Sequence, residues 1–166
     1  MDQDTLQLAM DAIDELEGAL EPVGLRLQRL DLEQSGGYPT VLIGDEKREG
    51  EDIVCNVLPV HMGGLDVIFI QFYLTLTAPA PEERRQALER FVKEANERFM
   101  LGSLLVFRGG LQMRYALALD PAVGLEEAHL QTAVATFLHQ GAVYGKLAGA
   151  IIDGTMTVEA ALEHRE

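Results

Sequence analysis

Gly36-Gly37, Gly63-Gly64 and Gly109-Gly110 each fall between runs of alternating apolar and polar residues. Glycine reaches positive φ without strain, which tight hairpin turns require. Strands joined by such turns lie side by side in antiparallel order. This punctuation therefore restricts the chain to an antiparallel sheet and leaves the other segments to be helices that cover it.

Strands are expected at residues 25–32, 39–44, 52–60 and 65–77. In the first, the apolar residues change parity between Leu27 and Leu30, which a bulge would explain. A charged connection from Asp45 to Gly50 joins the second to the third. Pro59 has no N–H, so its end of the third strand should be an edge or a bulge. In the longest run, Ile68, Ile70, Phe72, Leu74 and Leu76 share one face, and Val67, Phe69, Gln71, Tyr73 and Thr75 share the other. A later hairpin joins 103–107 to 111–119 through Arg108-Gly109-Gly110, with Leu111, Met113, Tyr115, Leu117 and Leu119 on one side of its second arm.

Helical spacing fills the gaps. Leu6, Ala9, Met10, Ile13, Leu16 and Leu20 make one apolar stripe, with Asp4 or Thr5 as cap and Glu21-Pro22-Val23-Gly24 as stop. Pro81 suits the first position of a second helix, whose stripe is Leu88, Phe91, Val92, Ala95 and Phe99. Glu89/Lys93, Arg90/Glu94 and Glu94/Arg98 are four-apart pairs on its wet side, and Gly102 is its expected end. After Asp120-Pro121 a long helix is expected over 125–152, burying Leu130, Val134, Phe137, Leu138, Gly141, Tyr144, Gly145, Ala148 and Ile152. Thr155 or Thr157 then caps a short last helix to Leu162. Gly141, Gly145 and Gly149 stand four apart on the apolar side of the long helix. Each sacrifices about 1 kcal/mol of helix propensity, so another element is expected to approach closely there. The expected layout is α-ββββ-α-ββ-α-α: one α+β domain over residues 1–166, an antiparallel sheet with helices packed mainly on one face.

Charge narrows the partners. The net charge is −14, which opposes binding to phosphate backbones and anionic lipids, so neither nucleic acid nor a membrane surface is expected. Asp2, Asp4, Asp11, Asp14, Glu15, Glu17 and Glu21 precede the first Lys or Arg. Such a run reads as a solvated helix face, or more sharply as a docking face for a basic partner. No apolar run approaches the roughly 20 residues of a membrane span. The opening Met-Asp-Gln-Asp-Thr has no basic, then apolar, leader pattern, and the expected address is cytoplasmic.

Catalytic patterns are not found. His61, His129, His139 and His164 lack metal-ligand spacing; ten residues along a helix turn His129 about 80° away from His139. Cys55, the single cysteine, forms no intrachain disulfide and lies in an apolar strand, which favours a buried, inert thiol. Neither Ser35 nor Ser103 sits in a nucleophile elbow, and the glycine pairs lack phosphate-loop spacing. No cofactor, metal or enzymatic activity is expected.

The segment Asn96-Glu97-Arg98-Phe99-Met100-Leu101-Gly102-Ser103-Leu104, followed by Leu111-Gln112-Met113-Arg114-Tyr115-Ala116-Leu117, resembles the YbjN-like proteins, whose fold is shared with the bacterial type III secretion chaperones. In those proteins a helix carrying an Asn leads to a small-residue turn, then to a hairpin whose second strand carries an Arg, then to a long closing helix. The similarity covers residues 65–152; the amino-terminal third departs from it by an extra strand. The resemblance implies a small, acidic, cytoplasmic homodimer that binds other polypeptides as a chaperone or regulator and catalyses nothing. Val67, Phe69 and Tyr73 are the candidate binding residues, because large apolar side chains on the second face of one strand need a cover: a partner subunit, the first helix, or a client peptide. The alternative is a small-molecule sensor or enzyme with a pocket between sheet and helices, built from scattered carboxylates and Arg114.

Overall fold

Why each segment folds as it does is visible in the computed structural model, which describes residues 3–45, 52–99 and 101–164. The elements follow the expected order: α1 (Gln3–Leu20), β1 (Leu25–Arg29), β2 (Thr40–Asp45), β3 (Ile53–Met62), β4 (Leu65–Thr75), α2 (Glu82–Asn96), β5 (Ser103–Phe107), β6 (Gly110–Leu119), α3 (Glu127–Ile152) and α4 (Val158–Glu163). The strands form a six-stranded sheet in the order β1-β2-β3-β4-β6-β5. Every pairing with a described register is antiparallel. The protein is thus α+β. No described helix is long and apolar enough to cross a membrane.

Several boundaries differ from expectation, each for a local reason. β1 ends at Arg29 without a bulge: Leu25 to Arg29 pair residue for residue with β2, and the chain then turns. The parity change at Leu30 marks the end of the strand, not a defect in it. Pro81 is the cap of α2, one position before its first residue. α2 stops at Asn96, well before Gly102, whose φ of 89° instead makes the step into β5. α3 starts at Glu127, because Asp120 first folds the chain back by accepting from the N–H groups of Val123 and Gly124. The connection after Asp45 lies almost wholly outside the described residues.

The described residues fall into two compact units, one within Met1–Tyr73 and Ala116–Val134, the other within Leu74–Tyr115 and Ala135–Glu166. In the first, α1 stops where a 3₁₀ turn over Glu21–Val23 and Gly24, at φ 81°, reverse the chain into β1. The β3–β4 hairpin turns through Gly63 and Gly64, both at positive φ, as a two-residue connection requires. Val41, Ile43, Ile53, Cys55, Val57, Ile70 and Phe72 share one face of the sheet by cross-strand register and are buried. Arg29 stands opposite Val41 on that face, and its guanidinium reaches Asp14 at 2.5 Å and Glu17 at 2.7 Å. Those carboxylates belong to α1, so α1 lies over this face. Its buried Ala9, Ile13, Leu16 and Leu20 complete the core. The Pro59 N points toward the β2 side, as the Val57 N–H does in bonding Pro39, but beyond where β2 begins. The missing donor therefore faces an edge, as its chemistry demands.

In the second unit, α2 buries Leu88, Phe91, Val92 and Ala95. Arg90 joins α2 to α4 by binding Glu94 at 2.7 Å and Glu159 at 2.6 Å. The Glu159 carboxyl is held below its ordinary value by its own backbone N–H and then by Arg90. Thr157 caps α4 by accepting from the Ala160 N–H. The glycine stripe of α3 is only partly a contact surface. A Cβ at Gly141 would stand 2.7 Å from Leu74 Cδ2, and one at Gly145 3.4 Å from Leu76 Cβ, but at Gly149 nothing lies within 4 Å. Gly149→Ala should therefore gain up to about 1 kcal/mol from helix propensity, whereas Gly145→Leu should lose about 1–3 kcal/mol by overpacking. Thermal unfolding followed by circular dichroism separates the two; a Gly145→Leu variant more stable than the parent would show that this face of α3 is free.

Candidate functional site

Burying one face of β2–β4 under α1 leaves the other to be accounted for, and register shows what it carries. Leu42, Val54 and Tyr73 form one cross-strand row, Leu58 and Phe69 a second, and Val60 and Val67 a third. Between them runs a polar row, Thr40, Asn56 and Gln71. The Thr40 hydroxyl lies 3.0 Å from Asn56 Oδ1, and the Tyr73 hydroxyl donates to Gln71 Oε1 at 2.6 Å. None of these side chains is charged, although 24% of the chain is. A solvated sheet face would alternate apolar with polar and charged residues; here the charged Arg26 and Asp52 stand at one end of the face, over Gly44, and the rows named carry none.

The candidate residues Val67, Phe69 and Tyr73 all stand on this face and are half-buried, flanked by Val54 and Val60, each 37% exposed. Leu65, at the hairpin end of β4, is 69% exposed. Of the covers considered for these residues, the first helix is ruled out, because Arg29 and its carboxylate partners place α1 on the opposite face. Val54, Leu58, Val60 and Leu42 belong to the surface too. Sequence reading missed them because only the register of β2, β3 and β4 brings them beside Phe69 and Tyr73.

The groups weighed for chemistry are placed as follows. Cys55 is buried, and burial pushes its thiol up, so little thiolate exists at neutral pH. His61 faces Asp66 at 2.9 Å on the exposed end of the β3–β4 hairpin. Among the described residues no group of three or more His, Cys, Asp or Glu could hold a metal ion. Arg114 is exposed on β6, opposite Ser103. The second unit holds a groove of about 700 Å³ between α2, α3 and α4, lined by Phe91, Arg98, Tyr144, Leu147 and His164 among others. Arg114 is not part of its lining, and Arg98 is already engaged in donating to the Leu162 carbonyl at 2.9 Å.

The Asn of the motif that suggested a resemblance has a structural task. Asn96 Nδ2 donates to the Leu104 carbonyl and Asn96 Oδ1 accepts from the Leu104 N–H, both at 2.8 Å. The side-chain amide thereby stands in for a strand beside β5. Compared with known proteins, the chain matches no family model and no curated relative.

Proposed function

We propose that this protein is a non-catalytic protein-binding module, a chaperone-like or signalling regulator that acts as a homodimer and receives a polypeptide segment on the second face of β3–β4. The observation that carries this reading is the uncharged, partly exposed apolar face formed by Leu42, Val54, Leu58, Val60, Val67, Phe69 and Tyr73 in a strongly acidic chain. Contiguous apolar surface of this kind, crossed by one uncharged polar row, is typical of macromolecular contacts. Extended peptides dock on such sheets through pockets for alternate side chains. The resemblance to YbjN-like proteins and secretion chaperones supports the same class of partner and the dimer.

Isolation from native extract, with mass spectrometry of what stays bound, tests the reading. A stoichiometric polypeptide is expected; a retained small molecule without one would favour a pocket-based sensor instead. Light scattering should return about twice the 18.2 kDa chain mass. A mass near that of one chain across micromolar concentrations would remove the dimer.

A further inference from the structure

The groove between α2, α3 and α4 has the make-up of a small-molecule site. Its volume of about 700 Å³ falls in the range of such sites, which join an apolar floor to a few polar groups that fix orientation. Phe91 and Ala95 of α2 and Leu147 of α3 supply the floor and are buried, and the half-buried Val143 and Tyr144 continue it. Its aromatic part is held in place from outside the groove as well. Tyr144 packs against Phe99 in a T-shape, with ring centroids 5.0 Å apart, and lies 6.3 Å from Phe91. Arg98, Glu163 and His164 line the same groove and are exposed, which puts them at its rim. Arg98 is anchored there, since its Nη1 donates to the Leu162 carbonyl at 2.9 Å, one residue before Glu163. That bond leaves the other N–H groups of the guanidinium fork for a carboxylate. Among the described residues, neither Arg98 nor Glu163 is in an ion pair, with each other or with a third group. Opposite charges that share a rim without meeting leave room for a molecule whose own two charges bridge them.

We propose that this groove binds a free apolar α-amino acid, an aromatic one fitting best. The ligand carboxylate pairs with Arg98, its ammonium with Glu163, and its side chain lies on Phe91, Tyr144 and Leu147. An α-amino acid carries both charges on one carbon, as the groove carries both partners on one rim. A bare carboxylate is the poorer occupant, because it leaves Glu163 beside it and approaches a chain of net charge −14. A bare amine forgoes the guanidinium, which makes the stronger, two-pronged contact. The inference goes beyond the reading of a polypeptide partner and uses none of the residues of the β3–β4 face.

The test titrates the protein with L-phenylalanine, with phenylpropionate, which lacks the ammonium, and with phenylethylamine, which lacks the carboxylate. Binding is read from the NMR methyl signals of Ala95, Leu147 and Ala161. Phenylalanine should bind at least about tenfold tighter than either fragment, since each loses one charge-assisted contact. Arg98→Gln should abolish the preference over phenylethylamine and keep the preference over phenylpropionate; Glu163→Gln should do the reverse. A merely structural role for either side chain would weaken all three ligands alike. That result, equal affinities in the unaltered protein, or no saturable shift of those methyl signals would overturn the proposal. Should Arg98→Gln not fold, the three ligands on the unaltered protein and the Glu163→Gln variant decide. Phe69→Asp should leave this binding unchanged, so failure here leaves the reading of the β3–β4 face standing.

Discussion

Gly102→Ala should lower stability by about 3 kcal/mol. Gly102 has a φ of 89°, and a Cβ there would press on the Arg114 carbonyl oxygen in the neighbouring strand. Left-handed backbone adds about 1–2 kcal/mol for alanine. The clash adds roughly 1–3 kcal/mol more, because a carbonyl fixed in a sheet cannot swing aside as a side-chain end can. The consequence is local as well. Gly102 steers the chain from α2 into β5 at the point where Asn96 holds Leu104, so strain there loosens that contact also. For a chain of this size the expected fall in Tm is about 6–12 °C. Gly36→Ala is the control: Gly36 has a φ of 70° with open space around it, so it should show only the backbone part. Equal losses in the two variants would mean that Arg114 yields and that the turn is not tightly packed.

Much of this fold is legible in the sequence because hairpin chemistry is local. Gly63-Gly64 and Arg108-Gly109 take the positive φ that two-residue turns need, and the alternation of Ile68, Ile70 and Phe72 against Val67, Phe69 and Tyr73 fixes which face is buried. Element ends were less legible, since they depend on partners far along the chain. α2 ends early although nothing in its own run forbids continuing, and its last residue, Asn96, turns to the backbone of β5. Gly141 and Gly149 look alike in a helical repeat, yet only the first meets packed side chains, from Leu74, Leu76 and Met113. The four-apart pairs show the same limit: Arg90 does bind Glu94, but it also reaches Glu159, sixty-nine residues on.

The candidate surface was half legible. One strand showed a surplus of apolar side chains at Val67, Phe69 and Tyr73, while the rest of the patch came from β2 and β3 through registers that no single strand encodes.

Substitutions on the two faces of β4 should have opposite consequences. Phe72 is 1% exposed beneath α1, and an aspartate there would place a carboxylate among Cys55, Ile70 and their neighbours with no cation to meet it. Phe72→Asp should lose the fold, since large core truncations alone cost about 3–5 kcal/mol and an unpaired buried charge adds to that. Phe69 is on the far side, opposite Leu58 and partly open to water, where an aspartate can remain hydrated. Phe69→Asp forfeits a cross-strand contact, about 1 kcal/mol, and should fold. The decisive measurement is the polypeptide recovered with Phe69→Asp from native extract, once circular dichroism has shown a melting transition close to that of the parent. A folded variant that no longer retains its partner is the predicted result; a variant that fails to fold, or folds and keeps the partner undiminished, would contradict the assignment of the β3–β4 face as the binding surface.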